Sequence, residues 1–225
     1  MKYLLTSAGA KNPKILNALL ELLGKPISQC TALCIPTAMH AQTGGNVRAW
    51  EFVTGHSQQP MCELGWKSVG LLELTALEYL QKDRWLPSVQ AVDALIVSGG
   101  DPLFLSYWMR RSGFADVLPT LKNTVYFGMS AGSMVMAPNI GQDFVNWTPP
   151  EGGDQTIGMV NFAIFPHLDH PNLPENTMAD ASRWAANMLV PCYAIDDDTA
   201  LKVYDENIEV ITEGHWKLFN HIKDG

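Results

Sequence analysis

Short β-branched and aromatic runs alternate with helical segments over the first 137 residues or so, and this alternation limits the chain to few folds. Tyr3 to Ser7 predicts a strand, and Pro13 to Leu23 a helix closed by Gly24. Ala32 to Pro36 predicts a buried strand, Asn46 to Thr54 a helical segment, Lys67 to Leu74 a third strand and Thr75 to Lys82 a helix. Ala91 to Ser98 reads as a strand ending in Gly99-Gly100-Asp101, followed by a helix over Pro102 to Arg111 with Gly113 as its stop. A further short helix precedes a strand over Asn123 to Phe127. Strand–helix–strand units join parallel strands, so the pattern predicts an α/β fold with a mostly parallel sheet sandwiched by helices. With 225 residues, 47% of them hydrophobic, the chain can bury a sizeable core as one domain over 1–225.

The pattern changes after Pro138. Residues 139–156 carry Gly141, Pro149, Pro150, Gly152 and Gly153, which predicts a long loop, a feature often tied to function. Gly158 to Phe165 predicts a strand running into Pro166-His167, and Leu173 to Met188 a helix opened by Pro174. Tyr193 to Asp196 and Ala200 to Tyr204 read as short strands, and Ile208 to Thr212 with His215 to Phe219 as a small closing β-hairpin.

In open α/β sheets, ligands bind beyond the carboxyl ends of the strands. Gly99-Gly100-Asp101 and Gly128-Met129-Ser130-Ala131-Gly132 both follow strands, so both should face one crevice. A serine pinched between glycines at a sharp strand-to-helix turn is how several hydrolase folds expose a nucleophile. The same pattern also fits a plain turn or a helix cap. A serine hydroxyl needs a base within hydrogen-bond reach and an orienting group behind that base. His167, just past a strand end, is the leading base, and His170 lies three residues on. Asp143 gives the chain order Ser, Asp, His; Asn146, Glu151, Asp154 and Asp198 are alternatives. The N–H groups of Ala131 and Gly100 are the natural oxyanion donors.

The formal charge of −8 argues against nucleic acid or an anionic membrane surface as a partner. Cys30, Cys34, Cys62 and Cys192 form no C-x-x-C pair and have no zinc-like histidine spacing, so no metal or cofactor is expected. The first residues lack a signal peptide's apolar core, and no apolar run reaches the length of a membrane span. These readings lead to the expectation of a cytoplasmic protein acting on a small molecule, as a monomer or homodimer.

Four segments together resemble the peptidase E family of serine peptidases, the S51 group that includes aspartyl dipeptidases and cyanophycinase relatives. They are Val97 to Asp101, Gly128 to Gly132, Phe165-Pro166-His167, and Ala194 to Leu201. The resemblance spans nearly the whole chain and implies a fold similar to class I glutamine amidotransferases. It implies Ser130 as nucleophile, His167 as general base, and Gly100 and Ala131 as oxyanion donors. It also implies that Arg183, in the helix after His167, holds a substrate carboxylate. The family commonly reads Gly-Gly-Gly-Asn where this chain has Ser98-Gly99-Gly100-Asp101, so Asp101 adds a carboxylate near the crevice, pointing away or binding the substrate amine. A direct count to the family's triad acid falls on Val145, two residues past Asp143.

The expected function is hydrolysis of short peptides, dipeptides with an N-terminal aspartate in particular, through an acyl-enzyme on Ser130. One rival is an α/β-hydrolase esterase using Asp198 with His215 or His221. Another is a binding or regulatory protein that keeps the fold without the chemistry.

Overall fold

The computed structural model describes residues 1–205 and 207–221. Its main sheet has seven strands in the order β3-β2-β4-β5-β1-β8-β9. These are β1 (Lys2–Thr6), β2 (Thr31–Ile35), β3 (Ser68–Leu71), β4 (Ala94–Val97), β5 (Val125–Met129), β8 (Thr199–Tyr204) and β9 (Asn207–Thr212). The first five run parallel, and β8 and β9 complete the edge antiparallel. A second sheet has the order β10-β7-β6, built from β6 (Ala163–Phe165), β7 (Cys192–Ile195) and β10 (Trp216–Phe219). There β6 and β7 are parallel, and β10 is antiparallel to β7.

The helices are α1 (Pro13–Leu23), α2 (Gly45–Val53), α3 (Leu74–Leu77), α4 (Lys82–Ala91), α5 (Pro102–Arg111), α6 (Ala131–Met134) and α7 (Met178–Ala185). Their ends carry ordinary stop and start chemistry. Asn12 accepts a hydrogen bond from Ile15 N ahead of Pro13, and Gly24 closes α1 at φ 70°. Thr177 and Asp180 form a reciprocal capping box on α7. No helix among the described residues is long and apolar enough to cross a membrane.

Both faces of the main sheet are covered, as a parallel sheet requires. Along β4, Leu95 and Val97 join the apolar cluster that includes Leu105 and Met109 of α5, while Ala94 and Ile96 join the opposite cluster with Ile15 and Leu19 of α1. The small sheet is also two-sided. Ile164, Tyr193 and Ile195 extend the first cluster, whereas Ala163, Phe165, Cys192 and Ala194 pack on Ala181, Trp184 and Ala185 of α7.

The structure departs from the sequence reading in several places. The helix expected over 75–82 is split into α3 and a separate α4, which contains Pro87. Most of the strand expected over 158–165 is instead backbone bonded to the stretch after α6: Gly158 N donates to Ala137 O at 2.8 Å and Met159 N to Met136 O at 2.7 Å. The helix expected over 173–188 starts later, at the Thr177 cap. The C-terminal hairpin forms between β8 and β9, not between the last two strands, because β10 leaves the main sheet to pair with β7. Gly214 makes that departure possible: a Cβ there would lie 1.9 Å from Asp196 Oδ2, the atom that accepts His215 N at 2.6 Å.

Two close backbone approaches hold the carboxyl end of β5. A Cβ on Gly128 would sit 2.6 Å from Gly132 O, and one on Gly132 would sit 2.5 Å from Val97 O. Neither backbone has room for a methyl group. Replacing Gly128 or Gly132 with alanine is therefore expected to lower stability by roughly 1–3 kcal/mol or more, measured by urea unfolding.

Candidate active site

Ser130 stands between β5 and α6 with φ 49° and ψ −113°, a conformation L-residues adopt rarely and at some strain. Its surroundings hold it there. Ser130 N donates to Thr6 O at 2.9 Å, and Ser130 O accepts from Ser133 N and Met134 N at 2.8 and 2.9 Å. Tyr126 Oη donates to Gly132 O at 2.7 Å inside the core. Gly100, at φ 136°, packs its backbone against Ala38, where a Cβ would lie 2.2 Å from the carbonyl oxygen. Gly99 packs beside the nucleophile turn, and a Cβ there would meet Ser130 Cβ at 3.3 Å. The two glycine turns therefore do face one crevice, as their strand-end positions imply.

His167 lies two residues past β6 at φ 56°. Its N–H donates to Ser7 Oγ at 3.1 Å, and the Ser7 hydroxyl donates in turn to Ile195 O at 3.0 Å. The ring Nδ1 is 2.6 Å from Asp197 Oδ1. An imidazole that gives its Nδ1 proton to a carboxylate presents Nε2 as a proton acceptor. Ser130, His167, Gly100, Asp143, Asn146 and Arg183 all line one cavity of about 560 Å³.

The residue that orients His167 is Asp197, not Asp143; the candidates read from the sequence include its neighbour Asp198 but not Asp197 itself. Three consecutive aspartates here do three different jobs. Asp196 accepts Thr199 Oγ1 at 2.6 Å and Asp198 N at 3.1 Å, shaping the turn. Asp198 O accepts Asn12 Nδ2 at 3.0 Å. Asp197 alone reaches His167. The signal that would have found it is the parallel pairing of β6 with β7, with Phe165 opposite Ala194. Parallel strands release their chains at the same edge, so residues just past Phe165 and just past Ala194 must meet.

Around Asp197, Lys11 Nζ is 3.5 Å from Oδ2 and His170 Nε2 is 3.7 Å from the same oxygen. Burial pushes the Asp197 carboxyl up, but the His167 hydrogen bond and the charges of His167, Lys11 and His170 outweigh it. The net effect holds the group below the usual carboxylate range.

The other candidates fall elsewhere. Asp143 lies in a single helical turn over Gln142–Phe144 and is exposed on the cavity wall, as is Asn146. Asp154 is buried as an internal staple, accepting Gly141 N at 3.0 Å and Asn139 Nδ2 at 3.1 Å. Glu151 lines a separate small hollow with Tyr107 and Arg110. Asp101 does not offer its carboxylate to substrate: it is 3% exposed and accepts three backbone N–H groups, from Leu103, Phe104 and Trp147. Burial raises its pKa against the lowering effect of those bonds. Arg183 lines the cavity with its side chain 71% exposed, and pairs with Asp180. Among the described residues Asp198 and His215 do not pair as the esterase arrangement requires: His215 pairs with Asp169 and Asp196, each at 2.9 Å.

A strained serine at a strand–helix elbow, sharing a cavity with an Asp-oriented histidine, is the site architecture of a serine hydrolase. Residues 3–211 match the sequence model of peptidase family S51, and the chain belongs to that family of serine peptidases. An uncharacterized peptidase of Pasteurella multocida (strain Pm70) is 28% identical over 129 residues, which take in 55% of this chain and 61% of that relative. The fold is shared with a crystal structure from Listeria monocytogenes EGD-e provisionally assigned as peptidase E. That match has a TM-score of 0.67 and 19% identity, covering 95% of this chain and 98% of the other. A peptidase from an acI-B1 actinobacterium superposes with a TM-score of 0.65 at 19% identity, covering 97% and 86%.

Asp197→Asn is expected to reduce kcat for any hydrolysed substrate by roughly 10³–10⁴-fold, whereas Asp143→Asn should leave it within about tenfold, read by steady-state kinetics. The folded Asp197 carboxyl is depressed, so its stabilisation is present above about pH 4 and is lost as pH falls through the folded value. The stability gap between wild type and Asp197→Asn should accordingly shrink below about pH 4 in urea titrations.

Proposed function

We propose that this chain is a serine peptidase that cleaves short peptides through an acyl-enzyme on Ser130. The observation that carries the reading is the 2.6 Å contact from Asp197 to His167, which lines the same cavity as Ser130. Ser130 Oγ attacks the scissile carbonyl carbon and passes its proton to His167 Nε2. Asp197 holds the imidazole by Nδ1 and offsets its positive charge. The carbonyl oxygen, now an oxyanion, takes hydrogen bonds from the N–H groups of Gly100 and Ala131. Ala131 N–H opens α6, where first-turn donors have no partner within the helix. His167 then protonates the leaving amine and the C–N bond breaks. A water molecule, deprotonated by His167, releases the acid and restores Ser130.

A cavity of this size falls in the range of small-ligand sites, which favours short peptides. Arg183 supports an N-terminal aspartate as the preferred first residue, since a guanidinium binds a carboxylate in two parallel hydrogen bonds. A substrate carboxylate there competes with Asp180, which holds the same side chain in the free protein.

Labelling with a fluorophosphonate should modify Ser130 in wild type and not in Ser130→Ala, and that variant should lose activity by several orders of magnitude, about 10⁶-fold at the extreme. A dipeptide screen varying the first residue tests the substrate reading. Arg183→Ala should cut the preference for Asp over Asn in that position by about tenfold while hydrolysis continues. Wild-type protein that neither labels nor cleaves any peptide would refute the proposal.

A further inference from the structure

Asp101 opens α5, and a helix cap needs only one acceptor oxygen. Its Oδ1 alone receives both cap bonds, from Leu103 N at 2.9 Å and Phe104 N at 2.8 Å. The second oxygen, Oδ2, is used outside the helix and accepts Trp147 N at 3.0 Å. Trp147 belongs to the 139–156 segment, forty-odd residues further along the chain. Its ring packs on Phe104 and Tyr107 of α5, with centroids 5.3 Å away in both cases. At the other end of the same stretch, Phe144 packs on Phe165 at 5.3 Å and on Trp184 at 6.1 Å. Phe144 itself, with Asp143 just before it and Asn146 between the two anchors, forms one wall of the substrate cavity. Asp101 N donates to Ala38 O at 2.9 Å, so the residue that grips the wall is also fixed to the 37–41 turn on which Gly100 packs.

We propose that Asp101 is a positioning residue that locks the Asp143–Asn146 wall of the peptide cavity against the start of α5, and so sets substrate binding without touching substrate. This rests on the peptidase reading above. The residue type carries the argument. Serine or asparagine would cap α5 as well as aspartate does. Only a carboxylate offers a second acceptor to Trp147 N–H. Asparagine has a single acceptor oxygen, and its amide NH₂ would present donors to a donor. Asp101→Asn therefore keeps the helix and releases the wall. The oxyanion turn stays in place, because the backbone bond from Asp101 N to Ala38 O does not depend on the side chain.

Hydrogen exchange followed by mass spectrometry, paired with peptide kinetics, tests this on the full chain. Asp101→Asn should remove protection from the peptide spanning 143–150 while that of α5 persists. KM for short peptides should rise by about tenfold, the scale of one lost hydrogen bond to a charged group, with kcat and fluorophosphonate labelling rate held within about threefold. Trp147→Ala, which loosens the wall from its other side, should raise KM in the same way with Asp101 intact. Unchanged exchange over 143–150 in Asp101→Asn would overturn the lock. A fall in kcat and labelling at constant KM would also overturn the proposal, because Asp101 would then act on the oxyanion turn. Lost protection with unchanged KM would overturn the proposal as well, because the lock would then not set substrate binding. A failed peptidase reading would be evident separately, as a wild type that neither labels nor cleaves while the exchange difference persists.

Discussion

The site depends on a pair of residues that leave β1 and tie two sheets together. Thr6 O accepts the Ser130 amide at 2.9 Å and the Ser133 hydroxyl at 2.8 Å, while Thr6 Oγ1 donates to Gly128 O at 2.9 Å. The next residue, Ser7, accepts the His167 amide and donates to Ile195 O at the end of β7. Both residues are fully buried, so none of these groups has water to fall back on. The nucleophile turn belongs to the large sheet, and the His167–Asp197 pair extends from the small one. A dipeptide of backbone and hydroxyl groups sets the distance between them. The glycine contacts at 128 and 132 have the same effect from the other side, pressing the elbow onto β4.

The electrostatics of the site follow from this division. An acidic chain with a net charge of −8 places a lysine and two histidines around one carboxylate, Asp197. Nearby, Asp196 is hydrogen-bonded into the turn that sends the chain to β10, and Asp169 reaches across to His215. Carboxylates next to one another in sequence are thereby separated in role. Their hydrogen-bond partners set their work: turn for Asp196, base for Asp197, and α1 cap for Asp198 through Asn12.

Much of this was readable from residue types. The alternation of runs gave the parallel sheet, because crossovers leave no other arrangement for strands joined by helices. Gly128–Gly132 and Gly99–Gly100 marked two turns at one edge, and His167 marked a third. What escaped notice depends on pairings that no local pattern states. The small sheet is invisible until β6 and β7 are known to be neighbours, and with it the meeting of His167 and Asp197. Asp143 has the right chain order and lines the same cavity, yet the His167 ring is hydrogen-bonded to Asp197 instead. Asp101 was legible as a carboxylate beside the crevice but not as a buried one, since its partner, the Trp147 amide, comes from within a proline- and glycine-rich stretch some forty residues away. The Thr177 cap moved the start of α7 for a local reason, without altering the order of the layers.

The backbone angles at Ser130, His167 and Asp169, with φ 49°, 56° and 53°, bear on the history of the chain. A side chain held in that region costs on the order of 1 kcal/mol that glycine would not. Aspartate and histidine tolerate the left-handed region better than most residues, but Ser130, with ψ −113°, lies outside it. Under random substitution alone, a lineage indifferent to the hydroxyl and the imidazole would gain stability by drifting to glycine at either position. Both strained side chains line the same cavity, so the strain falls on the two groups that the proposed chemistry requires.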